Sequence, residues 1–270
     1  MFVKSIDSDI LEKMQLASFP GKIEVIDSLG PEFDKAVRYL RSQSIIGFDT
    51  ETRPCFSPGQ AHHGVALLQL SGPEKAYLFR IQKTGMHKRL VNILASDKIL
   101  KIGAAVNDDI RGLQKYVDFQ AAGFVDLQRI VWEWGIKDKS VKKMSAIILG
   151  FRVSKTQQLS NWEAEVLSDA QQKYAATDAW VCREMYLKLM RSEKNPLTPE
   201  ELLPPMTPEQ RARQEAKAKK KAKNIAEMEK ARKRKQARRE RARRDAERGA
   251  ARRAARQAAS ELRQESQKKL

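Results

Sequence analysis

Residues 44–51 read Ser-Ile-Ile-Gly-Phe-Asp-Thr-Glu, an apolar run that ends in two carboxylates. The run has the character of a buried strand, and along a strand side chains alternate between faces, so Asp49 and Glu51 point the same way. Two neighbouring carboxylates repel each other, and no basic residue follows until Arg53. A divalent cation between them gives the placement a physical reason. Oxygen-only ligands favour Mg²⁺ or Mn²⁺ over zinc. A strand end with two solvated acids is the competing reading of this segment taken alone.

Upstream, residues 1–21 form a short amphipathic lead that ends at Pro20-Gly21. Residues 23–26 read as a strand. Ser28 is placed to cap a helix that starts at Pro31 and runs to about Gln43. Downstream, residues 65–70 and 76–81 are strands separated by the turn residues Gly72 and Pro73, which predicts an antiparallel meander. Residues 87–95 read as helix, 98–103 as strand, 108–116 as helix and 124–126 as a last short strand. From there to about Arg191 the chain reads as helix, broken near Gly135, Gly150 and Ser160. Clustered strands followed by alternating helix and strand predict an α/β fold, a mixed sheet with helices packed on it.

The charge is unevenly placed. Of a net +18 over 270 residues, residues 206–270 contribute +15, from 24 Lys/Arg against 9 Asp/Glu. Pro196, Pro199, Pro204, Pro205 and Pro208 mark a linker over 193–210. Beyond it, 211–270 has no proline, no aromatic residue and one glycine. With no apolar stripe to bury, this basic tail is expected to be helical or disordered, and to attach to nucleic acid by releasing counterions. A solvated helix, partly balanced by Glu227, Glu229, Glu240 and Asp245, is the plainer alternative. Cys55 and Cys182 lie in no metal-binding pattern and read as two thiols in a reducing compartment. With no signal-like or membrane-length apolar run, the expectation is a cytoplasmic protein, nucleoid-associated if bacterial and nuclear if eukaryotic.

Two further groups carry candidate chemistry. In Tyr174-Ala-Ala-Thr-Asp178, a phenol and a carboxylate sit four residues apart, one helical turn, and so share a face. Asp108-Asp109 falls in the first turn of a helix, where one acid suits the helix dipole and the other is free to face a cleft.

Phe48-Asp-Thr-Glu51, the run from Gly103 through Asp109 to Leu113, and Tyr174–Asp178 resemble the three motifs of the DEDD exonuclease superfamily, tyrosine subclass. The likeness covers roughly residues 22–190. It is nearest the Werner-type domain over 159–189, with ribonuclease D more distant. Within the acid pair, the spacing to Leu113 matches Asp109.

The resemblance implies a ribonuclease H-like fold over residues 22–192 and a 3′–5′ exonuclease that releases 5′-mononucleotides, from DNA in preference to RNA. It also implies two Mg²⁺ or Mn²⁺ ions. Asp49, Glu51 and Asp178 would hold the one that binds the attacking water, and Asp49 would bridge to a second supported by Asp109. Tyr174 would orient the water; with an ordinary pKa near 10 it suits that role better than that of a base.

Thr50, Arg53 and Trp162 are the candidates for contact with substrate, Trp162 having core packing as its alternative. Gln69, Asp126 and Trp180 read as structural, Asp126 as a helix cap. His62 and His63 have no third ligand for zinc and read as substrate contacts or exposed residues.

Overall fold

The computed structural model describes residues 1–56 and 63–203, with scattered positions between 209 and 228. In chain order the elements are α1 (Ser8–Lys13), β1 (Lys22–Ile26), α2 (Pro31–Arg41), β2 (Ile45–Thr52), β3 (Val65–Ser71) and β4 (Lys75–Arg80). There follow α3 (Ile81–Thr84), α4 (Lys88–Leu94), β5 (Leu100–Gly103), α5 (Val106–Gln114), β6 (Phe124–Asp126) and α6 (Leu127–Ile130). After a 3₁₀ turn at Val131–Trp134 come α7 (Val141–Leu149), α8 (Asp169–Met190) and α9 (Pro199–Leu202). Met1–Leu203 forms one compact unit. The expected basic tail lies for the most part outside the described residues.

The six strands form one mixed sheet in the order β1-β4-β3-β2-β5-β6. β2, β3 and β4 make the expected antiparallel meander, while β1 joins β4, and β5 joins β2 and β6, in parallel. Alternation along β2 sorts its residues between two layers. Ile46 and Phe48 face a core shared with Phe33, Leu40, Phe79 and Leu90 from the side of α2 and α4. Gly47, Asp49 and Glu51 face the opposite side, which α8 covers. A Cβ at Gly47 would lie 1.8 Å from the Ala179 carbonyl oxygen, so the backbone of α8 rests directly on β2. Only glycine permits that approach.

Three local expectations change. Gly30, not Ser28, is the N-cap of α2, and it makes no side-chain cap; Pro31 at the first position starts the helix through its fixed φ. Residues 150–168 are not helical, because Gly150 ends α7 in a left-handed conformation and the polar run that follows has no stripe to bury. α5 begins at Val106, two residues early. Its N-cap, Ala105, sits at φ 61°, a strained position for a residue with a Cβ, and its N–H donates to Asp126 Oδ1 at 3.0 Å.

The N-terminal lead is part of the packed unit. Leu16 bridges Arg152, the Phe19 N–H donates to Thr177 Oγ1 at 2.9 Å, and Ile6 and Leu11 pack on Ala146. No helix among the described residues is long and apolar enough to cross a membrane.

Candidate active site

The strand and the long helix deliver the central carboxylates. β2 presents Asp49 and Glu51 on one face, as its alternation requires. α8 is fixed at its start by a reciprocal capping box between Ser168 and Gln171. It then presents Ala175, Ala176 and Ala179 to the sheet, all fully buried. Their small side chains, together with Gly47, let the helix sit close enough for Asp178 to meet the strand. One carboxylate oxygen from each of Asp49, Glu51 and Asp178 lies within 4.8 Å of the other two.

Such crowding has an electrostatic cost that marks the site. Burial, then the charges of Asp178, Glu51 and Asp109, push Asp49 well above the usual carboxylate range. Burial and the charges of Asp178 and Asp109 raise Glu51 to about 9. Asp178 rises to about 7 through burial, opposed by the Tyr174 hydroxyl and the Lys155 charge. Three acids that cannot all ionise together are unfavourable unless a cation neutralises them. The donors are all carboxylate oxygens, so the cluster fits a hard divalent ion, with Asp49, Glu51 and Asp178 as its ligands.

Asp109 stands next to this trio. Thr50, which alternates to the other face of β2, donates its hydroxyl to Asp109 Oδ1 at 2.5 Å. Burial raises Asp109 to about 6, and that hydrogen bond opposes the shift. Its neighbour Asp108 is 83% exposed and paired with Arg111, so Asp109 is the acid held against β2, near the three clustered carboxylates but not one of them. Thr50, expected at the substrate, lines the cleft and through its hydroxyl also holds Asp109.

Tyr174 and Asp178 lie one turn apart on α8 and line the same cleft of about 340 Å³ as Asp49 and Glu51. Burial and the charges of Asp178 and Glu51 drive the phenol pKa far upward, so the hydroxyl stays protonated.

Trp162 is fully buried and packs its ring 5.9 Å from that of Tyr174. The expectation that it meets substrate is therefore corrected to a packing role behind Tyr174. Arg53 reaches Glu163 Oε2 at 3.3 Å with its side chain 45% exposed. Glu163 also accepts from Gln82 at 2.7 Å and lies 3.1 Å from His63 Nδ1. These contacts tie both ends of the β2–β3 connection, and α3, to the 150–168 segment; His62 lies outside the described residues. Asp126 caps α6 as expected, through Gln128 N–H. Trp180 stacks on Phe151, a structural role.

The sequence reading did not single out the far wall of the cleft, formed by Gln128, Ser140, Lys142, Lys155 and Gln158. Lys142 is engaged by Glu12. The polar run Ser154–Gln158, which has no apolar stripe to bury and is not helical, is the signal of that wall in the sequence.

A family model described as 3′–5′ exonuclease matches residues 31–193. DNA polymerase I of Aquifex aeolicus is 31% identical over 174 residues, 63% of this chain and 28% of that protein. The bifunctional 3′-5′ exonuclease/ATP-dependent helicase WRN of Mus musculus is 30% identical over 196 residues, 68% of this chain and 14% of that protein. The chain thus spans well under a third of these relatives' lengths. Among solved structures, the Aedes aegypti Nibbler EXO domain superposes with a TM-score of 0.57 at 24% identity, over 65% of this chain and 91% of that one. That likeness concerns the fold.

Proposed function

The chain belongs to the 3′–5′ exonuclease family, and from that premise we propose that it hydrolyses the last phosphodiester at nucleic-acid 3′ ends, releasing 5′-mononucleotides, with DNA preferred to RNA. The observation that carries the reading is the convergence of Asp49, Glu51 and Asp178 within 4.8 Å, with Tyr174 in the same cleft.

Asp49, Glu51 and Asp178 would hold one divalent ion, and Asp49 would share a second with Asp109. Two Mg²⁺ or Mn²⁺ ions, when bound, supply a nucleophile near neutral pH and neutralise charge on the leaving oxygen. The protein's own groups do the rest. Tyr174, whose hydroxyl donates to Asp178, would accept a hydrogen bond from the attacking water and fix its approach. Thr50 holds Asp109 in place. Lys155, on the cleft wall, offsets the carboxylates for an incoming phosphodiester. The basic tail raises the local concentration of nucleic acid without reading its sequence.

The preference for DNA rests on the nearer resemblance of residues 159–189 to the Werner type. A non-catalytic scaffold is disfavoured by the complete set of four acids and the tyrosine. The test is digestion of matched 5′-labelled DNA and RNA oligonucleotides with Mg²⁺, Mn²⁺ or EDTA. We expect a ladder shortening from the 3′ end, faster on DNA, abolished by EDTA and by Asp49→Ala. Undiminished release from Asp49→Ala overturns the assignment; faster digestion of RNA overturns the preference.

A further inference from the structure

One buried polar side chain beside the carboxylates has no part in the chemistry above. Gln69 lies in β3 directly opposite Asp49 in the antiparallel register, with Leu78 of β4 on its other side. It is completely buried. Neither its Oε1 nor its Nε2 has a hydrogen-bond partner among the described residues. A buried carboxamide without partners is unfavourable, and leucine or methionine would fill the same space without that cost. Directly opposed residues have Cβ atoms roughly 4.5–5.5 Å apart, and Gln69 and Asp49 share the face covered by α8. The Asp49 carboxyl is within the reach of a glutamine side chain.

Asp49 needs such a partner. Its Oδ1 accepts from the Thr50 N–H at 2.9 Å, which leaves Oδ2 for a second donor. Trp162 Nε1 is also buried and unpartnered. Trp162 packs in one cluster with Leu67 and Leu78, which flank Gln69 on the same face of the sheet. An indole N–H can only donate, so it suits the amide oxygen and leaves the amide N–H₂ for a carboxylate.

We propose that Gln69 is a positioning residue for Asp49. Its carboxamide, unbonded in this structure, turns when the site is loaded to donate to the second oxygen of the carboxyl and hold it in the orientation that takes a divalent ion, with the Trp162 indole N–H fixing which way the amide faces. The proposal rests on the reading of the carboxylate cluster as a metal site.

The experiment compares the wild-type chain with Gln69→Leu, and with Gln69→Met should the first fail to fold. Melting temperature is followed in EDTA and across a Mn²⁺ titration, alongside kcat and KM on a labelled DNA oligonucleotide. The expected variant melts in EDTA no lower than wild type. It binds Mn²⁺ about 10–100-fold more weakly, as loss of an outer partner does at metal sites. Its kcat falls, with KM for the oligonucleotide changed less than about twofold. A variant with wild-type Mn²⁺ affinity overturns the proposal and leaves the exonuclease reading intact. A wild-type chain whose melting ignores Mn²⁺ overturns both.

Discussion

Tyr174 and Asp178 stand one helical turn apart, yet burial acts on them to different ends. The same low-dielectric surroundings that keep the phenol protonated hold the carboxyl back from ionising. Tyr174→Phe removes a donor and little volume, so it should lower kcat by roughly tenfold to a hundredfold, about 1.4–2.7 kcal/mol, with KM little changed. Steady-state kinetics on a single-stranded oligonucleotide would measure it, and a wild-type kcat would remove the hydroxyl from the mechanism. The carboxyls give a second expectation. Glu51 is raised to about 9 and Asp178 to about 7 in the folded chain. Between their ordinary values and these, the folded state binds more protons than the unfolded one, so stability falls as pH rises through that window. In EDTA the melting temperature should therefore drop from pH 5 to pH 9. With saturating Mn²⁺ the drop should shrink, because ions take the place of protons. Parallel curves with and without the ion would contradict this.

Among the elements, the contact of α8 with β2 decides whether a site exists. Gly47→Ala puts a methyl carbon where the Ala179 carbonyl stands. It should cost about 3 kcal/mol or more, at or beyond the upper end of overpacking, and should reduce activity more than stability by lifting Asp178 away from Asp49. Thermal melts and assays on the same preparation would show it; an unchanged chain would mean that α8 can shift freely. Much of this was legible in the sequence. The alternation along 44–51 set the facing of Asp49 and Glu51, and the i, i+4 spacing paired Tyr174 with Asp178. What was not legible depended on contacts distant in the chain. Nothing around Trp162 tells that Tyr174 will cover it. Neither does the pattern around Thr50 reveal that it serves Asp109, 59 residues away. The irregular course of 150–168 was missed because polar residues with helix propensity look helical until the absence of an apolar stripe is weighed.

At the scale of the whole chain, charge and chemistry occupy different stretches. The unit Met1–Leu203 contains every residue assigned to the cleft, while residues 206–270 carry +15 of the net +18. Deleting 206–270 should leave the turnover rate on short oligonucleotides unchanged. Binding to long single strands should weaken by about tenfold or more near 0.1 M salt, and the slope of log affinity against log salt should become shallower. An unchanged slope would show that the tail takes no part in attachment. The seating of α8 on Gly47 also sets the order in which the carboxylate cluster can assemble during synthesis. Tyr174 and Asp178 lie more than 120 residues behind Asp49 and so leave the ribosome well after it. Until then Asp49 and Glu51 lack the third carboxylate of the cluster. The three-acid cluster can close only once α8 has been made and seated on the strand.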